Sequence, residues 1–220
     1  MSGKNATKTI VFDLETIGDP SIIPHLPPLE ADTRLKDPVK IEANIKMKAE
    51  KRIAELALQP TSAMICCFGY CFDDGEPNAI VLTKGDRATE RKLLLQAWEI
   101  LAEADQFVTF NGLGFDLPVL LMRSMMNRVR PSVRIDRKRY STVNHCDIRM
   151  VLGNWDNFAK GNLDWYSRIL LDEPAKDGVD GSLVGDMFDM EMYDEISEYC
   201  QNDVKITYNL YQLLTKFYLL

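Results

Sequence analysis

Histidine is scarce in this chain: the 220 residues hold two, His25 and His145. Zinc sites built on several imidazoles therefore have little to draw on. The five cysteines, Cys66, Cys67, Cys71, Cys146 and Cys200, form no CxxC pair and are odd in number. They read as reduced thiols, which suits a cytoplasmic protein and makes a zinc site a poor expectation. Long hydrophobic runs are missing too, so no membrane span is expected. The first residues, Met-Ser-Gly-Lys-Asn, lead into no hydrophobic signal region, and secretion is not indicated. No repeat, low-complexity tract or linker interrupts the chain, and one domain over residues 1–220 is the economical expectation. A net positive charge is also absent: the formal charge is −7.

The distribution of that charge is more informative than its sum. Between Arg123 and Tyr140 stand seven bases and one acid, Asp136; between Asp172 and Asp203 stand eleven acids and one base, Lys176. The basic segment is either a solvated face or a track for a phosphate backbone.

Hydrophobic periodicity predicts an α/β order of elements. Residues 8–15 read as a buried strand, followed by a proline-rich loop. Asp37-Pro38 marks a helix start, with helical spacing to about Gln59. Residues 63–72 and 79–83 read as strands joined at Asp73-Asp74-Gly75. A helix is expected over 87–104, a strand over 106–110, a helix from Asp116 to about Asn127, and a long helix over the last 25 residues. Residues 131–192 are mixed.

Three acidic clusters stand out. In the strand TIVFDLETIG, Asp13 and Glu15 alternate onto one face, with Cα atoms roughly 6.5 to 7 Å apart. Two anions held together in a low-dielectric sheet repel and are costly to desolvate. A divalent cation offsets that cost; so does a solvated strand end. The second cluster, Asn111-Gly-Leu-Gly-Phe115-Asp116, follows a strand and opens a helix, where Asp116 also suits a helix first turn. In the third, Glu198-Tyr199-Cys-Gln-Asn-Asp203, Tyr199 and Asp203 lie four apart on one helical face.

In combination these motifs, D-x-E on a first strand, N-x3-F-D after a later strand and Y-C-x-x-D on a last helix, resemble the three exonuclease motifs of the DEDD superfamily. They are most similar to the DEDDy branch, as in the proofreading 3′-5′ exonuclease domain of family B DNA polymerases, and the resemblance runs from Ile10 to the C-terminus. The sibling branch carries His five residues before the last Asp, and here that position is Glu198. The segment Lys-Asp-Gly-Val-Asp-Gly-Ser, 176–182, resembles stand-alone relatives of that domain.

The resemblance implies an RNase H-like fold, a mixed five-stranded sheet flanked by helices, here with a helical insertion over 30–60 between the first two strands. That insertion could be a lid, a dimer contact or a brace. The implied metal-binding carboxylates are Asp13, Glu15, Asp116 and Asp203, holding two Mg²⁺ or Mn²⁺ ions, with Tyr199 orienting the attacking water. Thr16 is implied to contact the terminal nucleotide through its backbone, Asn111 and Phe115 to line the single-strand path, and Leu14 to pack on a base. The implied activity is metal-dependent release of 5′-mononucleotides from 3′ ends of single-stranded DNA, with any polymerase or replication partner acting in trans. RNA 3′-end trimming and a catalytically silent nucleic-acid-binding module are the alternatives.

Overall fold

The computed structural model describes residues 7–73, 75–172 and 181–219. A mixed sheet of five strands runs in the order β3-β2-β1-β4-β5. Its strands are β1 (Thr9–Gly18), β2 (Ala63–Phe72), β3 (Asn78–Val81), β4 (Gln106–Thr109) and β5 (His145–Asp147). β1 is central, antiparallel to β2 and parallel to β4. The flanking helices are α1 (Pro38–Glu55), α2 (Arg87–Leu101), α3 (Asp116–Met126), α4 (Ile148–Leu152), α5 (Leu163–Leu171), α6 (Val184–Asp189) and α7 (Tyr193–Phe217). None of the described helices is long and apolar enough to cross a membrane.

The two faces of β1 carry different chemistry because side chains alternate along a strand. Ile10, Phe12 and Leu14 join Phe68, Phe107 and the apolar stripes of α2 and α3 in one core. Val11 turns to the other face, where Val108, Cys146, Val204 and Leu210 form a second cluster under α7. Asp13 and Glu15 continue that second face toward the strand's C-terminal end. α7 comes close to the sheet where β2 carries Gly69, the register partner of Asp13. A Cβ at Gly69 would lie 2.6 Å from Cys200 Sγ and 3.2 Å from the Cys200 carbonyl oxygen, so the bare glycine sets the helix-to-sheet distance.

The expected elements are present with shifted ends. β1 extends to Gly18, past a bulge between Glu15 and Thr16. α1 begins as Asp37-Pro38 predicts: the Asp37 carboxylate accepts a 2.9 Å bond from Val39 N. Asp73 and Gly75 flank the β2–β3 turn, with Gly75 N donating to Phe72 O at 2.8 Å; Asp74 lies outside the described residues. So do residues 176–180 of the 176–182 segment.

None of the residues of α1 is fully buried, though Ile41, Ile45 and Ala49 are partly covered. The helix lies on its own preceding loop, where Lys48 Nζ donates to Glu30 O at 2.7 Å and Arg52 Nη1 to Pro27 O at 2.8 Å. The residue that meets the sheet is Leu56, just beyond the helix and against Gly18. Arg123, counted in the basic segment, is not on the surface at all. It is 1% exposed and ion-paired with Glu90 at 2.6 Å and Asp19 at 2.9 Å. Asn127 also donates to Glu90 at 2.7 Å, and Glu90 accepts from Ile65 N of β2 at 3.0 Å. This network ties α2, α3 and the end of β1 together. Burial raises the pKa of Asp19, but bonds from Ser21 and Arg123 outweigh it and hold the carboxyl below its ordinary range.

Removing one member of a buried ion pair strands the others. Arg123→Ala is expected to cost roughly 3–5 kcal/mol of unfolding free energy, read from the urea midpoint. Gly69→Ala is expected to lose about 1–3 kcal/mol by forcing α7 off the sheet, read in the same way.

Candidate active site

Strand alternation puts Asp13 and Glu15 on one face of β1 and Thr16 on the other, and the register with β2 shifts after Glu15, skipping Cys66. Thr16 Oγ1 donates to Ala57 O at 2.8 Å, fixing the end of β1 to the segment that follows α1. Asp13 is half-buried and Glu15 is buried. α7 lies over them. Carboxylate oxygens of Asp13 and Glu15 and the Sγ of Cys200 all fall within 4.8 Å of one another.

Asp116 reaches the same place from α3. β1 pairs with β4 only over Thr9, Ile10 and Val11, which leaves the β1 amides beyond them without a β4 partner. Asp116 Oδ1 accepts the bond from one of these, Leu14 N, at 3.1 Å. The acid is thus not a helix cap: Phe115 precedes α3 without a side-chain cap bond, and Asp116 faces the sheet, 3% exposed. Asp203 completes the group from α7, hydrogen-bonded to the Tyr199 hydroxyl one turn earlier.

The electrostatics follow from this convergence. The Asp13 carboxyl is pushed well above its ordinary range, first by burial and then by the charges of Asp116, Glu15 and Asp203. Asp116 is pushed up to about 7, mainly by burial, with the Asp147 charge adding and the backbone amides of Asp116 and Leu14 opposing. Burial raises the Tyr199 pKa as well, reinforced by Asp203, Glu15 and Asp13, so its hydroxyl keeps its proton. Neither histidine takes part. His145 is buried on β5 beside Thr109 Oγ1 at 2.8 Å, its pKa lowered by burial to about 4.

The loop between β4 and α3 is shaped by Asp147, which the sequence reading passed over because β5 is only three residues long. This carboxylate is fully buried and accepts from Asn111 N at 3.0 Å, Leu113 N at 2.9 Å and Met150 N at 3.1 Å. Asn111 sits at φ +66°, in the left-handed region, and its Oδ1 accepts from Arg149 at 3.3 Å. Phe115 is half-buried against the core. Leu14 does not fit its expected role. It is 4% exposed and packs in the core opposite Phe68, because it lies on the other face from Asp13, so it offers no surface to a base. Gly69 and Cys200 were also missed. The only signal for either was the Cys of Y-C-x-x-D, which reads equally well as a small core residue.

Hard oxygen donors gathered in a place where they repel fit a divalent cation such as Mg²⁺ or Mn²⁺. Cys200 adds one soft donor at the edge of the group.

A family model described as a predicted 3′-5′ exonuclease related to the exonuclease domain of PolB matches residues 58–218. That span contains Asp116, Tyr199 and Asp203; β1 lies before it. The family B DNA polymerase of the hyperthermophilic archaeon Pyrobaculum calidifontis has a similar structure, with a TM-score of 0.64 at 15% identity. The likeness covers 99% of this chain and 26% of the polymerase chain, and at that identity it speaks for the fold. No curated protein matches the sequence. The mixed sheet with its flanking helices is RNase H-like, and the chain belongs to the family of predicted 3′-5′ exonucleases related to the exonuclease domain of PolB.

Proposed function

We propose that this protein is a metal-dependent exonuclease that removes 5′-mononucleotides from the 3′ end of single-stranded DNA. The observation that carries the reading is the convergence of Asp13, Glu15, Asp116 and Asp203 from a strand and two helices, with their charges acting on Asp13. DNA is favoured because the structural likeness is to a domain-sized part of a DNA polymerase. Any polymerase or replication partner would then act in trans, in the cytoplasm.

Asp13, Glu15, Asp116 and Asp203 would hold two divalent cations. When bound, these supply a nucleophilic water at neutral pH and stabilise the leaving oxygen. Tyr199 would orient the attacking water without deprotonating it, because its neutral hydroxyl is locked to Asp203. Asp116 is positioned by the Leu14 amide, so β1 and α3 set the spacing between their carboxylates together. The Thr16 backbone would meet the terminal nucleotide, and Asn111 and Phe115 would line the path of the strand.

Digestion of 3′- and 5′-labelled single-stranded DNA, duplex DNA and RNA in Mg²⁺, Mn²⁺ or chelator tests the reading. Stepwise loss from the 3′ end of single-stranded DNA, stopped by chelator, is expected. Asp203→Ala is expected to abolish turnover in Mg²⁺ with the circular dichroism spectrum unchanged; full activity in that variant would sink the assignment.

The raised carboxyls give a second expectation, free of turnover. A carboxyl whose folded pKa lies above its unfolded value binds its proton more tightly in the fold. The metal-free protein therefore loses stability as pH rises from about 4, the ordinary carboxyl value, and the share due to Asp116 is lost through about pH 7, with the raised Asp13 acting in the same direction. Cations compete with those protons. Mg²⁺ is expected to raise Tm more at pH 8 than at pH 5.5, and an equal shift at both would count against the carboxylate site.

A further inference from the structure

Beside the loop that carries Asn111 opens a cleft of about 870 Å³, lined by Asn111, Pro118, Arg137, Arg139, Arg149 and Asn157 among others. In a chain of net charge −7 its lining is cationic. None of the three arginines is ion-paired with a carboxylate among the described residues. The nearby Lys138, by contrast, is partnered by Asp136 at 3.9 Å. Arg149 donates to neutral oxygens, Ala159 O at 3.0 Å and Asn157 O at 3.5 Å as well as Asn111 Oδ1, which fix its geometry, and its charge is felt in part by the buried Asp147. Asp156, the acid on the same loop, is turned back on the Phe158 amide at 2.9 Å.

The far wall is preorganised. Arg139 Nη2 donates to Trp155 O at 2.6 Å, and the rings of Tyr140 and Trp155 pack with centroids 5.5 Å apart. Tyr140 and Trp155 both take positive φ, a costly backbone for bulky residues that persists only where the surroundings hold it. Two aromatic residues next in sequence to the lining residues Arg139 and Asn157 are exposed: Phe158 is 92% exposed, and Tyr140 is 72% exposed with Arg139 over its ring at 5.3 Å. Unpaired arginines in a groove, interleaved with exposed aromatic faces, match what single-stranded nucleic acid needs, since phosphates take the charge and unstacked bases take the rings.

We infer that the Arg137–Arg139–Arg149 cleft and the Phe158 ring form an extended binding groove for single-stranded nucleic acid, several nucleotides away from the terminal residue at the carboxylates. Continuity supports this: Asn111 lines the cleft, and the loop it opens ends at Asp116. The direction of the strand rests on the exonuclease reading; the groove itself does not. It extends the substrate beyond a terminal nucleotide to a strand, and it makes affinity depend on length.

The test uses Arg137→Ala/Phe158→Ala, both positions being exposed, with the fold checked by circular dichroism and Tm. Fluorescence anisotropy in chelator measures binding of labelled dT3, dT20 and rU20 over a range of salt. The parent protein is expected to bind both 20-mers much more tightly than dT3. The double variant is expected to weaken 20-mer binding about fivefold or more, to shrink the dT20-to-dT3 gap, and to flatten the salt slope by roughly 0.7. An unchanged gap and slope, or an equal loss on dT3 and dT20, would overturn the groove. Cleavage of dT20 by the parent in Mg²⁺ or Mn²⁺ is scored separately: no cleavage with length-dependent binding intact would remove the exonuclease reading and leave the groove standing.

Discussion

Repulsion among four carboxylates is the constraint around which this fold is built. Asp13, Glu15, Asp116 and Asp203 act on one another where water is largely excluded, and that arrangement opposes folding unless rigid elements enforce it. β1 supplies the rigidity as the central strand, paired on both sides. α3 is anchored by the very carboxylate it contributes, bonded to Leu14 N. α7 is brought down by the missing side chain of Gly69, which lets Cys200 touch the strand. Each device lowers the freedom of one acid to move away from the others.

Buried acids elsewhere in the molecule show what a settled carboxylate looks like. Glu90 and Asp19 are neutralised by Arg123, a guanidinium with the geometry to bridge both. Asp147 is satisfied by three backbone amides and in return shapes the loop from Asn111 to Leu113. Asp13 differs from these: burial and the charges of Asp116, Glu15 and Asp203 all push its carboxyl up, where Arg123 holds Asp19 down.

The uneven charge of the sequence divides in the same way. Part of the basic segment is structural, since Arg123 faces inward, while Arg137 and Arg139 face a cleft with Arg149. Acids and bases are thus each divided between residues that hold helices to the sheet and residues that gather at one place with like charges.

The order of elements, the acid motifs and the cap at Asp37 were legible in the sequence because each is local: strand alternation, helical spacing and an Asp-Pro step act over a few residues. Alternation alone put Asp13 and Glu15 on one face. What only the tertiary structure decided is which residues meet across distance. Leu14 reads as a rim residue until β2 places Phe68 beside it; Arg123 reads as surface charge until Asp19 and Glu90 close on it. Asp147 sits on a strand too short for any period, yet it holds the loop that leads to Asp116. The helix over 38–55 looks like a core element by spacing, and only packing shows that its apolar residues are no more than partly covered. Periodicity specifies a face; the partner that covers the face is set by the whole chain.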